Sequence, residues 1–301
     1  MLGPLLFLIY VNDFRNCSTL VDFHLFADDV NLFFQHRDIK MLESLISSEL
    51  EKVLTWLRAN KLSLNIDKSN FVIFHPIQRK LLKQVMLSIN NQMLTQETSI
   101  RYLGVYIDYN ISWKMHFTNI SKKIKRSIGI LSKLSYFLST KTLLSLYYAL
   151  VEPFLNYHII AWGNTYQTTL QPLFILQKKA LRIITFSSYN EHSSPLFKDL
   201  NVVKLFDIIT FQLAVFMYKF HNNLLPPVFD PYFNSVRTIH NYNTRLSSKM
   251  SYAIPKVRTN YGIFNIRFQG SKVWNDIIDH IKLLSLKSFK KNLKLILIEK
   301  Y

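Results

Sequence analysis

The chain has 301 residues, of which 49% are hydrophobic and 19% are charged. This length allows two or three folded domains, and the composition excludes an intrinsically disordered protein. Its single cysteine, Cys17, excludes an intramolecular disulfide framework and a thiolate-rich zinc site. We therefore expect no disulfide partners and an intracellular protein, either nuclear or cytoplasmic.

The net charge of +18 is unevenly distributed along the chain. Residues 1–110 contain 11 Lys and Arg against 11 Asp and Glu, whereas residues 111–301 contain 26 against 8. A basic half joined to a neutral half is typical of a protein with a polyanion-binding surface, such as a nucleic-acid site. A compositional bias toward lysine and asparagine is the alternative explanation.

The first segment, residues 2–14, has the pattern of the end of a helix. Residues 2–11 are apolar, but no basic stretch precedes them and no small-residue cleavage site follows, and ten residues cannot span a bilayer. We expect a buried helix here, and the alternative is a degraded signal sequence. No other segment reaches transmembrane length, so no membrane partner is expected.

Residues 21–35 predict a β-hairpin, because apolar residues alternate into and out of its centre. The turn presents Asp28 and Asp29 side by side, and carboxylate oxygens are the ligands that Mg²⁺ prefers. Aspartates also occur in surface turns for conformational reasons alone. The flanking apolar residues argue against that alternative, because we expect them in the core: Phe26, Ala27, Val30, Leu32, Phe33 and Phe34.

The next segments alternate between helix and strand patterns. Residues 38–60 have helical spacing, whereas residues 62–66 and 71–75 alternate as strands do. A further strand pair is predicted over 84–107, with its turn at Asn90-Asn91. The first 110 residues are therefore predicted to be α+β, with the helix packed on an antiparallel sheet.

From Ser112 onward the pattern is mostly helical. Residues 223–262 contain four prolines and are predicted to be mainly irregular. Helices are predicted at about 113–137, 140–151, 168–186, 203–222, 268–282 and 285–298.

Two of these helices have an apolar face and an opposite basic face. In the first, the basic residues lie within about 40° of one another on a helical wheel; they are Lys122, Arg126 and Lys133, opposite Ile120, Ile124, Ile128, Leu131 and Leu134. In the last helix they are Lys287, Lys290, Lys291 and Lys294, opposite Leu286, Phe289, Leu293 and Ile296. Solvated lysine faces are common, but two of them in the basic half favour contact with nucleic-acid phosphates.

Paired carboxylates beside a basic helical region indicate metal-dependent nucleotidyl transfer, which uses two Mg²⁺ ions about 3.5–4 Å apart. At this point the chain resembles the reverse transcriptases of non-LTR retrotransposons. Residues 2–13 resemble the end of that family's template- and nucleotide-contacting helix, here with Gly3 and Pro4. Residues 26–29 match its catalytic hairpin, in which the aspartates serve the metal ions.

Two later motifs follow in the family's order. Residues 62–69 resemble a motif whose lysine, here Lys68, is implied to lie near the departing pyrophosphate. Residues 101–108 resemble the primer-gripping hairpin, and its tip is Tyr102, Leu103 and Gly104. The resemblance implies a partial polymerase palm in 1–110.

The rest of the chain continues the resemblance. It implies a helical thumb-like region in 111–165 and a basic, mainly helical C-terminal region in 166–301. The stretches that carry it are 153–157, 161–163, 177–182, 240–245 and 268–275. We expect Trp162 and Trp274, which lie in two of them, to pack in the core rather than to stack on bases.

The chain departs from the family in one respect that concerns catalysis. The fingers and the first catalytic aspartate have no counterpart, as expected for the C-terminal part of a longer reading frame. Asp22 would lie roughly 20 Å from Asp28 along an extended strand, and neither Asp13 nor Asp108 is a persuasive substitute. We therefore expect weak or absent Mg²⁺ binding and little or no polymerisation by this chain alone.

Two functions remain open. The first is an RNA-directed DNA polymerase that uses Asp28, Asp29 and Lys68, with an RNA template, a DNA primer and deoxynucleotides as partners. The alternative is a non-catalytic, basic nucleic-acid-binding remnant.

Overall fold

The computed structural model describes residues 2–76, 78–79, 85–236 and 250–301. The chain divides into two compact units, residues 1–112 and residues 113–301. The first contains helices and short strands, and the regular elements described in the second are helices, so the chain is α+β. Among the described residues, no helix is long and apolar enough to cross a membrane.

The first unit contains two α-helices, two short 3-10 helices and eight short strands within its described residues. The helices are α1 (Leu2–Tyr10) and α2 (Ile39–Ala59), and the 3-10 turns are Phe14–Cys17 and Ile66–Lys68. The strands are β1 (Asp22–Phe26), β2 (Asp29–Phe33), β3 (Asn70–Phe71), β4 (Ser88–Ile89), β5 (Gln92–Met93), β6 (Thr95–Gln96), β7 (Ser99–Tyr102) and β8 (Val105–Asp108).

These strands form four separate two-stranded sheets rather than the single antiparallel sheet that the sequence predicted. Three pairs are antiparallel, β1–β2, β4–β5 and β7–β8, but β3 pairs with β6 in parallel. The strand predicted over 62–66 is wrong. Its end forms a 3-10 turn in which the Asn65 side chain accepts a hydrogen bond from the Lys68 N–H, at 3.2 Å.

Helix α2 contributes three buried apolar residues to the core of this unit, Leu50, Val53 and Leu54. Its N-terminus is capped by Asp38, whose carboxylate accepts a hydrogen bond from the Lys40 N–H at 2.7 Å. Leu50 and Leu54 are buried against Ile89 of β4, with Leu32 of β2 packed beside them. The predicted packing of this helix on the strands is therefore confirmed, although the strands form separate pairs.

Much of the apolar surface near the N-terminus is exposed, contrary to expectation. No residue of α1 is buried, and Leu2 and Ile9 are each 66% exposed. In the hairpin, Phe26 is 61% exposed and Val30 is 47% exposed. The predicted burial of these residues is wrong because the described segments of this unit pack around α2 and not over them.

The second unit contains eleven α-helices and one 3-10 helix, Pro227–Tyr232, within its described residues. The α-helices are α3 (Lys114–Leu134), α4 (Thr140–Leu150), α5 (Glu152–Asn156), α6 (Ile159–Trp162), α7 (Gln167–Ile184), α8 (Ser193–Asp199), α9 (Leu205–His221), α10 (Asn260–Phe264), α11 (Ile266–Asp276), α12 (Asp279–Lys282) and α13 (Leu286–Glu299). Five of the six predicted helices are confirmed. The sixth, over 268–282, is broken at Ile277 and Ile278, whose backbones are extended.

Two groups of packed helices contribute to the core of the second unit. Helix α3 packs mainly on α7, with Ile124, Leu131 and Leu173 buried. Helix α9 packs on α11 and α13 around Trp274 and Phe289, which are both fully buried. Trp162 is also fully buried, so the predicted core packing of both tryptophans is confirmed.

Candidate functional site

The turn of the β1–β2 hairpin positions the paired aspartates. Phe26 pairs with Asp29, so Ala27 and Asp28 form a two-residue loop. Ala27 has a φ of 52°, as the turns that close two-residue hairpins require. Both aspartates are exposed, and within the described residues neither carboxylate accepts a hydrogen bond or forms an ion pair. Carboxylate oxygens without a partner are the kind of ligand that a hard cation prefers.

Further carboxylates of the first unit lie elsewhere. Asp22 begins β1 opposite Phe33, at the far end of the hairpin from the turn. Asp108 is buried and accepts a hydrogen bond from the Ser112 N–H at 3.0 Å and a short one from the Ser112 hydroxyl. In the part of the chain that the structure describes, no group of three or more His, Cys, Asp or Glu could hold a metal ion.

A second two-residue turn holds the residues that resemble the primer grip. Tyr102 pairs with Val105, which leaves Leu103 and Gly104 in the turn. Their φ angles are 45° and 82°, and Gly104 adopts this region without a steric penalty. The Tyr102 ring lies edge-on to the Phe33 ring of β2, with 6.4 Å between centroids. The structure thus brings the β7–β8 hairpin beside the hairpin that bears Asp28 and Asp29.

The remaining site residues predicted in this unit are all exposed. Gly3 and Pro4 lie in the first turn of α1, and Lys68 ends the 3-10 turn Ile66–Lys68. A cavity of about 390 Å³ next to this turn is lined by polar residues that include Asn65 and Asp67. No described contact joins Lys68 to the aspartate turn, so its role stays a prediction.

The two basic faces lie on the surface of the second unit as predicted. Lys122, Arg126 and Lys133 are exposed on α3, and the opposite face of the helix is buried. On α13, Lys287, Lys290 and Lys291 are exposed, and Lys294 is half-buried near Glu152, whose pKa is raised mainly by burial. Within the described residues no ion pair involves the exposed cations, so they are available for phosphate groups.

A surface cleft on this unit was missed by the sequence reasoning. It lies beside α7 and brings Lys179 and Arg182 next to Phe186 and Tyr189. The available signal was a pair of aromatic residues in a Ser- and Asn-rich loop directly after a basic helix, a pattern that apolar periodicity does not explain.

Other stretches of this unit that carry the family resemblance make contacts within the fold. Trp274 donates its indole N–H to the Met250 carbonyl at 2.8 Å, and Asn275 bonds both the N–H and the C=O of Tyr252, at 2.9 and 2.8 Å. Gly163 lies so close to Ile159 that an added Cβ would be 2.6 Å from its carbonyl oxygen. The stretch 240–245 lies outside the described residues.

Comparison with known proteins gives a consistent result. Residues 1–107 match the family described as reverse transcriptase (RNA-dependent DNA polymerase). The chain is 26% identical over 217 residues to a Drosophila melanogaster protein described as "Probable RNA-directed DNA polymerase from transposon X-element". It is also 22% and 26% identical to the RNA-directed DNA polymerases from mobile element jockey of Drosophila melanogaster and Drosophila funebris. No solved structure matches the chain significantly.

These alignments cover 69% of the chain but only 23–24% of each relative. The chain therefore spans about a quarter of the length of the curated relatives it matches, and their similarity extends past residue 107 into the helical unit. The family match contains the aspartate turn. The resemblance to the reverse transcriptases of non-LTR retrotransposons is therefore confirmed, with the family match in residues 1–107 and similarity to Drosophila mobile-element polymerases over 69% of the chain.

Proposed function

We propose that this chain contributes the metal-binding hairpin and a duplex-binding surface to an RNA-directed DNA polymerase. The observation that carries the proposal is the exposed two-residue turn at Ala27-Asp28, which places two unengaged carboxylates together inside the reverse transcriptase match. The alternative proposal is a non-catalytic nucleic-acid-binding piece, and the exposed basic faces of α3 and α13 favour it.

The donor set at the turn fits Mg²⁺ in its chemistry. Asp28 and Asp29 supply oxygen ligands, and Mg²⁺ in phosphoryl-transfer sites is held by one or two carboxylates, with waters and substrate phosphates completing its shell. When bound, the metal ions would activate the attacking primer hydroxyl and neutralise charge on the phosphates. The two carboxylates would hold the cations at the turn of the β1–β2 hairpin.

Neighbouring groups would position the nucleic acid and the nucleotide. The ring contact between Tyr102 and Phe33 joins the β7–β8 hairpin to the end of the β1–β2 hairpin opposite the aspartate turn, and Leu103-Gly104 would hold the primer end. Lys68 would approach the departing pyrophosphate, and the helix with Gly3 and Pro4 would contact template and nucleotide. The basic faces of α3 and α13 would bind phosphates of the template–primer duplex.

We propose that the chain alone does not extend primers, because two carboxylates form only part of a two-metal site. Purified protein with a primed RNA template, deoxynucleotides and Mg²⁺ should give no extension product. Extension that disappears in Asp28→Ala would refute this inactivity while supporting the metal role of the turn.

Metal binding tests the turn directly. Mn²⁺ titration followed by water-proton relaxation should detect weak binding to the wild-type chain and a clear loss in the double variant Asp28→Asn, Asp29→Asn. Asp22→Asn is the matched control, since Asp22 is an exposed carboxylate at the other end of the same hairpin. Equal Mn²⁺ binding by wild type and the double variant would overturn the assignment.

Duplex binding tests the basic faces. We expect the affinity for an RNA–DNA template–primer duplex to fall steeply with salt. The double variant Lys122→Ala, Arg126→Ala should flatten the log–log slope by about 0.9 for each phosphate that the protein no longer neutralises. The charge-matched control is Lys141→Ala, Lys198→Ala, at exposed lysines outside both faces. Binding without extension, weakened in the first variant alone, would favour the non-catalytic function.

A further inference from the structure

A cleft of about 370 Å³ lies between the C-terminal ends of α3 and α7. Ser132 and Ser135 line it from the end of α3, and Lys179 and Arg182 line it from α7. No acidic side chain is among its described lining residues. Its walls therefore offer two cations and several hydroxyl donors, which is a surface suited to anionic oxygen atoms.

Aromatic rings form the open edge of the cleft. Phe186 and Tyr189, both lining residues, are 60% and 81% exposed. The Phe186 backbone has a φ of 56°, which is unfavourable for a residue with a bulky side chain. Large rings held in solvent beside cations are a pattern that apolar packing does not account for, but stacking on planar ligands does.

The loop that carries these rings is fixed by hydrogen bonds. The Arg182 guanidinium donates from Nε and Nη2 to the Glu191 carbonyl at 3.1 and 2.8 Å, and the Ser187 N–H donates to the Arg182 carbonyl at 2.9 Å. The Thr185 and Ser187 hydroxyls lie 2.8 Å apart. Because two of the five guanidinium N–H groups close the loop, the others remain to bind a ligand in a preset geometry.

The cleft is separate from the basic face of α3. On a helical wheel, Ser132 lies about 100° and Ser135 about 160° from the centre of the sector of Lys122, Arg126 and Lys133. A rigid duplex bound along the basic face would not enter the cleft from that side. We therefore expect the two surfaces to bind different nucleic-acid segments.

We infer that this cleft binds single-stranded nucleic acid, with phosphates at Lys179 and Arg182 and bases stacked on Phe186 and Tyr189. A cleft that combines two cations with exposed aromatic rings suits one flexible strand whose bases are free to stack. This site goes beyond the proposed polymerase function and does not depend on metal at Asp28 and Asp29. It gives the helical unit a second contact, to unpaired nucleic acid.

Fluorescence anisotropy with a labelled oligouridine of about ten nucleotides tests the inference. We expect Tyr189→Ala to weaken binding about tenfold and Tyr189→Phe to retain wild-type affinity, because the phenyl ring still stacks. Lys179→Ala should reduce the salt slope by about 0.7, the value for one phosphate contact to a single strand. Tyr261→Ala and Lys141→Ala are the matched controls, since both residues are exposed in this unit and do not line the cleft.

Comparison of probes separates this site from the duplex-binding face. The double variant Lys122→Ala, Arg126→Ala should weaken duplex binding and leave oligouridine binding within about twofold of wild type, and Tyr189→Ala should do the reverse. Oligodeoxythymidine in a parallel titration shows whether the strand is RNA or DNA. Unchanged oligouridine affinity in both Tyr189→Ala and Lys179→Ala, or equal weakening of duplex and single-strand binding, would overturn the inference.

Discussion

Gln177 joins three helices of the second unit through a fully buried amide. Its Nε2 donates to the Tyr147 hydroxyl on α4 and to the Val203 carbonyl, each at 2.9 Å. Its Oε1 accepts from the Leu205 N–H at 2.9 Å. Leu205 is the first residue of α9, so this N–H has no partner within its own helix. A side chain of α7 therefore caps α9 from outside.

Replacing Gln177 by alanine should destabilise this unit strongly. Three polar groups lose their partner, and each buried group left unsatisfied costs about 1–3 kcal/mol. Val203 is half-buried, so water can reach its carbonyl, and the expected loss is about 3–5 kcal/mol in the free energy of unfolding. Tyr147→Phe leaves one buried N–H of the Gln177 amide without its partner and should cost about 1–3 kcal/mol.

Urea unfolding followed by far-ultraviolet circular dichroism and tryptophan fluorescence measures these losses, since Trp162 and Trp274 are buried in this unit. Gln171→Ala is the control, because Gln171 is exposed on the same helix and its loss should stay within about 0.5 kcal/mol. If Gln177→Ala lost no more stability than Gln171→Ala, the capping role of this amide would be refuted.

Two further predictions concern stability. Burial, with smaller contributions from the charges of Lys123 and His158, lowers the pKa of His116 to about 4 from the ordinary 6.5. The unfolded chain therefore binds the proton first as pH falls, and the second unit should lose roughly 3 kcal/mol between pH 6.5 and 4. In His116→Gln the pH dependence of unfolding should flatten over that range, and an unchanged slope would contradict the assignment. At the β7–β8 turn, Leu103 and Gly104 both have positive φ. Gly104→Ala should therefore cost about 1 kcal/mol of stability, whereas Leu103→Gly should not destabilise the protein. Equal urea midpoints for the two variants would argue against backbone strain at this turn.

Structural features that follow from a local sequence pattern were predicted correctly. The helices α2, α3 and α13 carry their apolar residues at helical spacing over many turns, and such a repeat fixes both the helix and the face it buries. The turn at Asn90-Asn91 is confirmed for the same reason, since its φ angles of 50° and 61° suit asparagine. For α3 this also placed the basic face correctly, because exposure follows from the opposite side being buried.

Features that depend on distant partners were not predictable. Strand β3 is two residues long and pairs in parallel with β6, and no local pattern specifies that pairing. The apolar residues Phe26 and Val30 alternate as core residues do, yet they are exposed. Periodicity shows that a residue has an apolar side chain on a given face, but what covers that face depends on the packing of other segments. The cleft beside α7 was missed because residues from two helices and a loop build it.

The stretch 177–182 shows why resemblance in sequence does not by itself assign a function. Gln177, Ala180 and Leu181 are fully buried and hold α7 in place, whereas Lys179 is exposed and lines the cleft. Structural and binding residues are thus interleaved within six positions of one helix, because successive residues point to different sides. Substitution at Gln177 should therefore change unfolding and substitution at Lys179 should change binding, although both belong to the same stretch. Burial is the property that separates the two roles.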